Sequence, residues 1–200
     1  MGAISRAREA GTTWLQLTVL AAIWACGTRQ PPPADAQPAT TAPRVLPLAR
    51  VYVLETSGPA PSDTSVTFTA GTPRTIVLYH SGENIAFARL IFGPDALADT
   101  GQAVRVDARP RPGIYGLDVA ISLPVRENRA SVVFEYARYF SAPLRARQKY
   151  GSDVAFERAL AVGRLLPDGQ IELLPSTRPA ADHLQAFLPA PGSYVVAAPQ

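Results

Sequence analysis

The residues that could do chemistry in this chain are few. Each of its two histidines has a carboxylate neighbour, His80 with Glu83 and His183 with Asp182. Such pairs could share one metal ion if folding brought them together. A turn histidine and a strand-end histidine give the same pattern, and no metal is expected. Ser81 follows His80 directly, but adjacent strand residues point to opposite faces, so they cannot work as nucleophile and base. A single cysteine, Cys26, leaves neither a disulfide nor a cysteine-rich zinc site. Phosphate-cradling glycine loops, helical histidine pairs and nucleophile elbows are missing, and no cofactor is expected. Carboxylates leave no local signature, so Asp95, Asp99 or Glu135 gathered by folding would still allow a hydrolase.

One stretch concentrates charge among aromatics. Arg138, Arg145, Arg147 and Lys149 interleave with Tyr136, Tyr139, Phe140 and Tyr150. Arg138, Tyr139, Arg145, Arg147, Lys149 and Tyr150 are therefore the candidate binding residues, facing acidic glycan, lipid headgroups or a partner's carboxylates. The favoured account, however, is a solvated loop whose arginines lie along packed aromatics. Single-stranded nucleic acid uses similar grooves, but a net charge of +3 gives no general reason to expect it. Only one of the 19 basic residues is a lysine, so arginine use here need not be local selection.

Those residues need elements to hold them, and the chain divides into three parts. Residues 1–25 open with Arg6 and Arg8, continue in an apolar run from Trp14, and end at the small residue Ala25. As a helix the run would rise about 18 Å, well short of a ~30 Å hydrocarbon core. A basic start, short apolar core and small terminal residue are the parts of an export signal. Loss of residues 1–25 removes Arg6, Arg8 and Glu9, so +3 becomes +2. Residues 26–47 follow as a polar, proline-studded tether of roughly 60 Å or less.

From Leu48 to Gln200 short alternating runs are separated by turn residues. The plainest is Ala103–Arg109, where Val104, Val106 and Ala108 share one face and Arg105, Asp107 and Arg109 the other. Further strands are expected over Arg50–Glu55, Ser65–Thr69, Arg74–His80, Ile85–Phe92, Tyr115–Leu123, Ala130–Arg138, Asp182–Leu188 and Gly192–Ala198. Arg158–Leu166 and Ile171–Leu174 read as a hairpin around Asp168-Gly169. Ser152 could instead cap a helix through Asp153, Phe156 and Leu160, but a strand is preferred because Val162–Leu166 must be extended. Nine or ten short strands predict an all-β, antiparallel β-sandwich.

Ile23-Trp24-Ala25-Cys26 resembles the lipobox of bacterial lipoproteins. The resemblance implies that Cys26 is acylated and becomes the first mature residue, anchoring the protein in the membrane of the cell envelope. In that family a glycine after the cysteine, here Gly27, goes with outer-membrane delivery where the host has two membranes. A second resemblance covers Ala88 to Ala197, which is similar to ZU5-class β-sandwich domains. It rests on Arg89–Ala98, Ala130–Tyr136, Asp168–Thr177, His183 and Gly192–Ala197. Some such sandwiches cut themselves between a His-Leu or His-Phe pair and a following Ser or Thr. The matching triplet here is His183-Leu184-Gln185, and glutamine supplies no hydroxyl nucleophile. The resemblance thus implies a domain that does not cleave itself.

Two functions follow as expectations. The first is a non-catalytic binding or structural module, lipid-anchored through Cys26, meeting envelope proteins or anionic glycan but no nucleic acid. The second is an envelope hydrolase using paired carboxylates.

Overall fold

A computed structural model describes residues 42–200. Residues 1–41, which hold the expected leader, Cys26 and most of the expected tether, lie outside the described residues. In chain order the elements are β1 (Arg44–Pro47), a 3₁₀ turn (Leu48–Arg50), β2 (Val51–Val53), β3 (Glu55–Thr56), β4 (Thr64–Thr69), β5 (Arg74–Tyr79), β6 (Ala86–Phe92), β7 (Ala103–Pro110) and β8 (Gly116–Ile121). There follow β9 (Ala130–Glu135), a 3₁₀ turn (Ala137–Tyr139), β10 (Phe140–Ser141), α1 (Leu144–Tyr150), α2 (Asp153–Ala159), β11 (Ala161–Leu165), β12 (Gln170–Leu173), β13 (Ser176–Thr177), β14 (His183–Phe187) and β15 (Gly192–Pro199).

The fold is an antiparallel β-sandwich. One sheet runs β1-β12-β11-β15-β8-β7-β4, with β2 on the last residues of β15, and the other runs β13-β14-β9-β6-β5. The short strands β3 and β10 pair separately. Period-two alternation supplies the inner faces: Val104, Val106 and Ala108 of β7 are buried, as are Ile76 and Leu78 of β5. Phe68 from one sheet meets Phe92 from the other at 5.6 Å between ring centres. Fully burying a ring, as at Phe92, contributes about 1.5–3 kcal/mol. A smaller apolar cluster of Ile171, Leu173, Val195 and Ala197 covers the opposite face of β12, β11 and β15. Gly163 makes that possible, because a Cβ there would lie 2.7 Å from Ile171 Cγ1.

Several boundaries differ from the sequence reading; the expected strand Ala130–Arg138, for one, ends at Glu135 and gives way to the 3₁₀ turn Ala137–Tyr139. The sheet begins at Arg44, inside the segment assigned to the tether, because Arg44–Pro47 pairs antiparallel with Gln170–Leu173. The expected strand Arg50–Glu55 breaks at the fully buried Leu54, so that its halves join different sheets. The preferred strand from Arg158 is also corrected. Residues 153–159 are helix α2, whose Ser152 Oγ accepts the Ala155 N–H at 3.1 Å. Leu160 then turns extended and β11 starts one residue later, so helix and hairpin coexist.

Candidate functional site

The basic–aromatic stretch is not a loop. Leu144–Tyr150 forms α1, a further correction, since Leu, Arg, Ala, Gln and Lys all favour helix. Pro143 precedes it, and Gly151 closes it at φ 76°, a left-handed conformation that glycine adopts freely. The helical pair rests on Phe156, fully buried among Tyr52, Phe140 and Tyr150 at 5.6–6.5 Å between ring centres.

Tyr136 is the hinge of this end. Its hydroxyl donates to Glu157 Oε1 at 3.0 Å and accepts from Arg178 Nη1. The Arg178 guanidinium also donates to the carbonyls of Glu157 and Leu160, tying down the C-terminus of α2. Burial pushes the Tyr136 phenol well above its ordinary pKa, and pushes those of Tyr115 and Tyr194 up to about 12.

The six candidate binding residues divide into two kinds. Tyr139 and Tyr150 point inward as structural pins. Tyr139 lies over Gly58, its ring 4.8 Å from that of His80, and donates to Glu83 Oε1 at 2.6 Å. Tyr150 donates to the Pro199 carbonyl at 2.6 Å. Arg138, Arg145, Arg147 and Lys149 are exposed. Arg147 is neutralised by Asp153 at 2.8 Å, and Arg138 lies 5.9 Å from the centre of the Tyr139 ring. Sequence reading missed Arg158 on α2 and the exposed apolar pair Leu144 and Val154. The helical period would have revealed them, with Val154 and Arg158 four residues apart on one face. Among the described residues, no carboxylate lies within ion-pair distance of Arg138, Arg145, Lys149 or Arg158.

The other chemistry candidates are dispersed. His80 is 1% exposed, with Nδ1 2.8 Å from the Pro59 carbonyl. That carbonyl can only accept, so Nδ1 is the donor of this hydrogen bond. His183 faces Glu135 Oε2 at 3.4 Å and Asp182 Oδ1 at 3.7 Å. The two histidines therefore occupy separate surroundings, and among the described residues no three His, Cys, Asp or Glu side chains gather as metal ligands. Glu135 Oε1 approaches Arg89 Nε at 2.5 Å, Asp95 pairs with Arg129 at 3.2 Å, and Asp99 sits in a turn with φ 55°. A shallow depression of about 280 Å³ on the large sheet is lined by Asp107, Arg109, Asp118 and Ser193. Its carboxylates are already engaged, Asp107 by Arg105 and Asp118 by Arg111 and Ser193 Oγ.

No protein-family model matches the chain, and no match was found among curated proteins or solved structures.

Proposed function

We propose that this chain is a lipid-anchored protein of the bacterial cell envelope whose β-sandwich is a binding module rather than an enzyme. The observation that carries the binding role is the helical end, where Arg145, Lys149 and Arg158 are exposed and, among the described residues, no carboxylate lies within ion-pair distance of them. Long basic side chains without internal partners attract anionic surfaces. The resemblance of Ile23–Cys26 to a lipobox supports the anchor and, with Gly27, delivery to the outer membrane of a host that has one. The likeness of Ala88–Ala197 to ZU5-class domains supports a contact role without self-cleavage, since Gln185 stands at the nucleophile position.

The test is metabolic labelling of cells with a fatty acid. The parent chain should carry label and fractionate with membranes, and Cys26→Ser should carry none. Equal labelling of both chains would end the anchor reading.

A further inference from the structure

We propose that the helical end formed by α1 and α2 is a lipid-docking surface, laid against the anionic headgroups of the membrane that holds the anchor. This rests on the binding-module reading above and names its partner. Three observations favour a bilayer over an acidic glycan or a protein carboxylate.

First, cations and apolar side chains are exposed together. Leu144 is 71% and Val154 56% exposed, the two most exposed large hydrophobic side chains among the described residues. A soluble acidic glycan offers nothing to a leucine and a valine. A bilayer interface offers phosphates to the cations and an acyl boundary just beneath them. Lys149 and Arg145 lie four residues apart on one face of α1, and Arg158 repeats the arrangement with Val154 on α2.

Second, the aromatics of the stretch face inward. Tyr139 and Tyr150 are committed to Glu83 and Pro199, leaving no exposed ring among the candidate residues on which a sugar could stack.

Third, the described residues begin beside this surface. They start at residue 42, two residues before β1 begins at Arg44. Tyr150 binds Pro199, which pairs with Val51 just after β1 and the 3₁₀ turn. Arg44 pairs with Leu173, and Leu173 with Gly163, four residues after α2 ends at Ala159. A tether running from Cys26 to Arg44 therefore joins the domain at its basic, apolar end.

Cys26 is the chain's only cysteine, which makes the test clean. The full-length Cys26→Ser, Leu144→Cys chain carries one thiol, on α1, for an environment-sensitive fluorophore. In phosphatidylglycerol-containing vesicles the label should move to an apolar environment, and in phosphatidylcholine vesicles it should stay in water. Adding Arg145→Gln and Lys149→Gln should weaken engagement about thirtyfold, the factor for two lost headgroup attractions. A label on Thr67→Cys, exposed on β4, should remain in water throughout. A water-exposed label at position 144 in anionic vesicles overturns the proposal. So does an equal response at position 67, or a larger response to soluble acidic polysaccharide than to vesicles. Every arm lacks Cys26, so the result is independent of whether the natural chain is acylated.

Discussion

On the outer face of the large sheet Arg105, Arg109 and Arg111 lie 3.0–3.6 Å from Asp107, Asp63 and Asp118 respectively. At the helical end Arg138, Arg145, Lys149 and Arg158 have no such partner among the described residues, and only Arg147 is matched, by Asp153. Both surfaces are solvated and rich in arginine. The sheet face places opposite charges on neighbouring strands or two residues apart on one strand, as Arg109 faces Asp118 in register. Its field cancels within a few ångströms. The helical end sums its charges instead, so attraction for an anion survives to the distance at which a partner docks. Arginine count alone thus says little, and the placement of aspartates decides which surface can bind.

That contrast depends on the helical end staying packed, and its largest weakness is Phe156. Phe156→Ala removes the one fully buried ring shared by Tyr52, Phe140 and Tyr150. The expected loss is about 3–5 kcal/mol in urea unfolding. A variant that loses helical circular dichroism but keeps a cooperative β transition would show the two regions to be separable. A loss under 1 kcal/mol would mean that the ring does not hold this end together.

Arg178 comes next. Arg178→Gln leaves the Tyr136 hydroxyl and the Glu157 and Leu160 carbonyls without their shared donor. Hydrogen bonds to a charged group contribute about 1.5–3 kcal/mol, and the variant should lose about that much. Hydrogen exchange should quicken first at the last turn of α2, while the amides of β7 and β8 keep their protection. Uniform quickening would tie Arg178 to the whole sandwich and blur the distinction between the regions.

Ser152→Ala should cost about 1 kcal/mol, the usual value of an N-cap, because the Ala155 N–H loses its acceptor. Ser152→Asp should restore it, since a carboxylate at this end also meets the helix dipole favourably. Failure of the aspartate to recover stability, measured by the urea midpoint, would remove the cap from the account of α2.

The most readable strands were those with one face buried and the other solvated. Residues 103–109 alternate without exception, and in the structure Val104, Val106 and Ala108 are the buried ones. The break at Leu54 was not readable, because Val51–Thr56 is locally a good strand and only its tertiary partners, β15 and β10, divide it. The helices were harder for another reason. α1 and α2 have seven residues each, too few for the helical period to stand out against a β background. The Ser152 cap signal was present, but it was outweighed by the need for an extended Val162, although two residues suffice for the change. Site chemistry was legible in residue type and opaque in direction: the same stretch holds Tyr139 facing inward and Arg138 facing outward. Burial of His80 depends on the Pro59 segment, which lies 21 residues away in sequence.

The smallest expected effect lies on the paired face, at Asp107. Arg105 Nε donates to both of its carboxylate oxygens, at 3.0 and 3.1 Å. That hydrogen bond from Arg105, with help from Ser65, holds the carboxyl below its ordinary value of 3.8. With a lowered pKa in the folded state, the unfolded chain takes up the proton first as the solution is acidified. The pair's contribution to stability is therefore present above the ordinary carboxylate range and is lost as pH falls through the folded value. Exposed pairs of this kind add little to stability, so the acid-unfolding midpoint of Arg105→Gln should barely move. Carboxyl carbon chemical shifts followed against pH are more sensitive, and in Arg105→Gln the Asp107 titration should rise towards 3.8. If Asp107 titrates alike in both chains, the pairing on this face is geometric without being electrostatic. The contrast with the helical end would then rest on the Arg109–Asp63 and Arg111–Asp118 pairs.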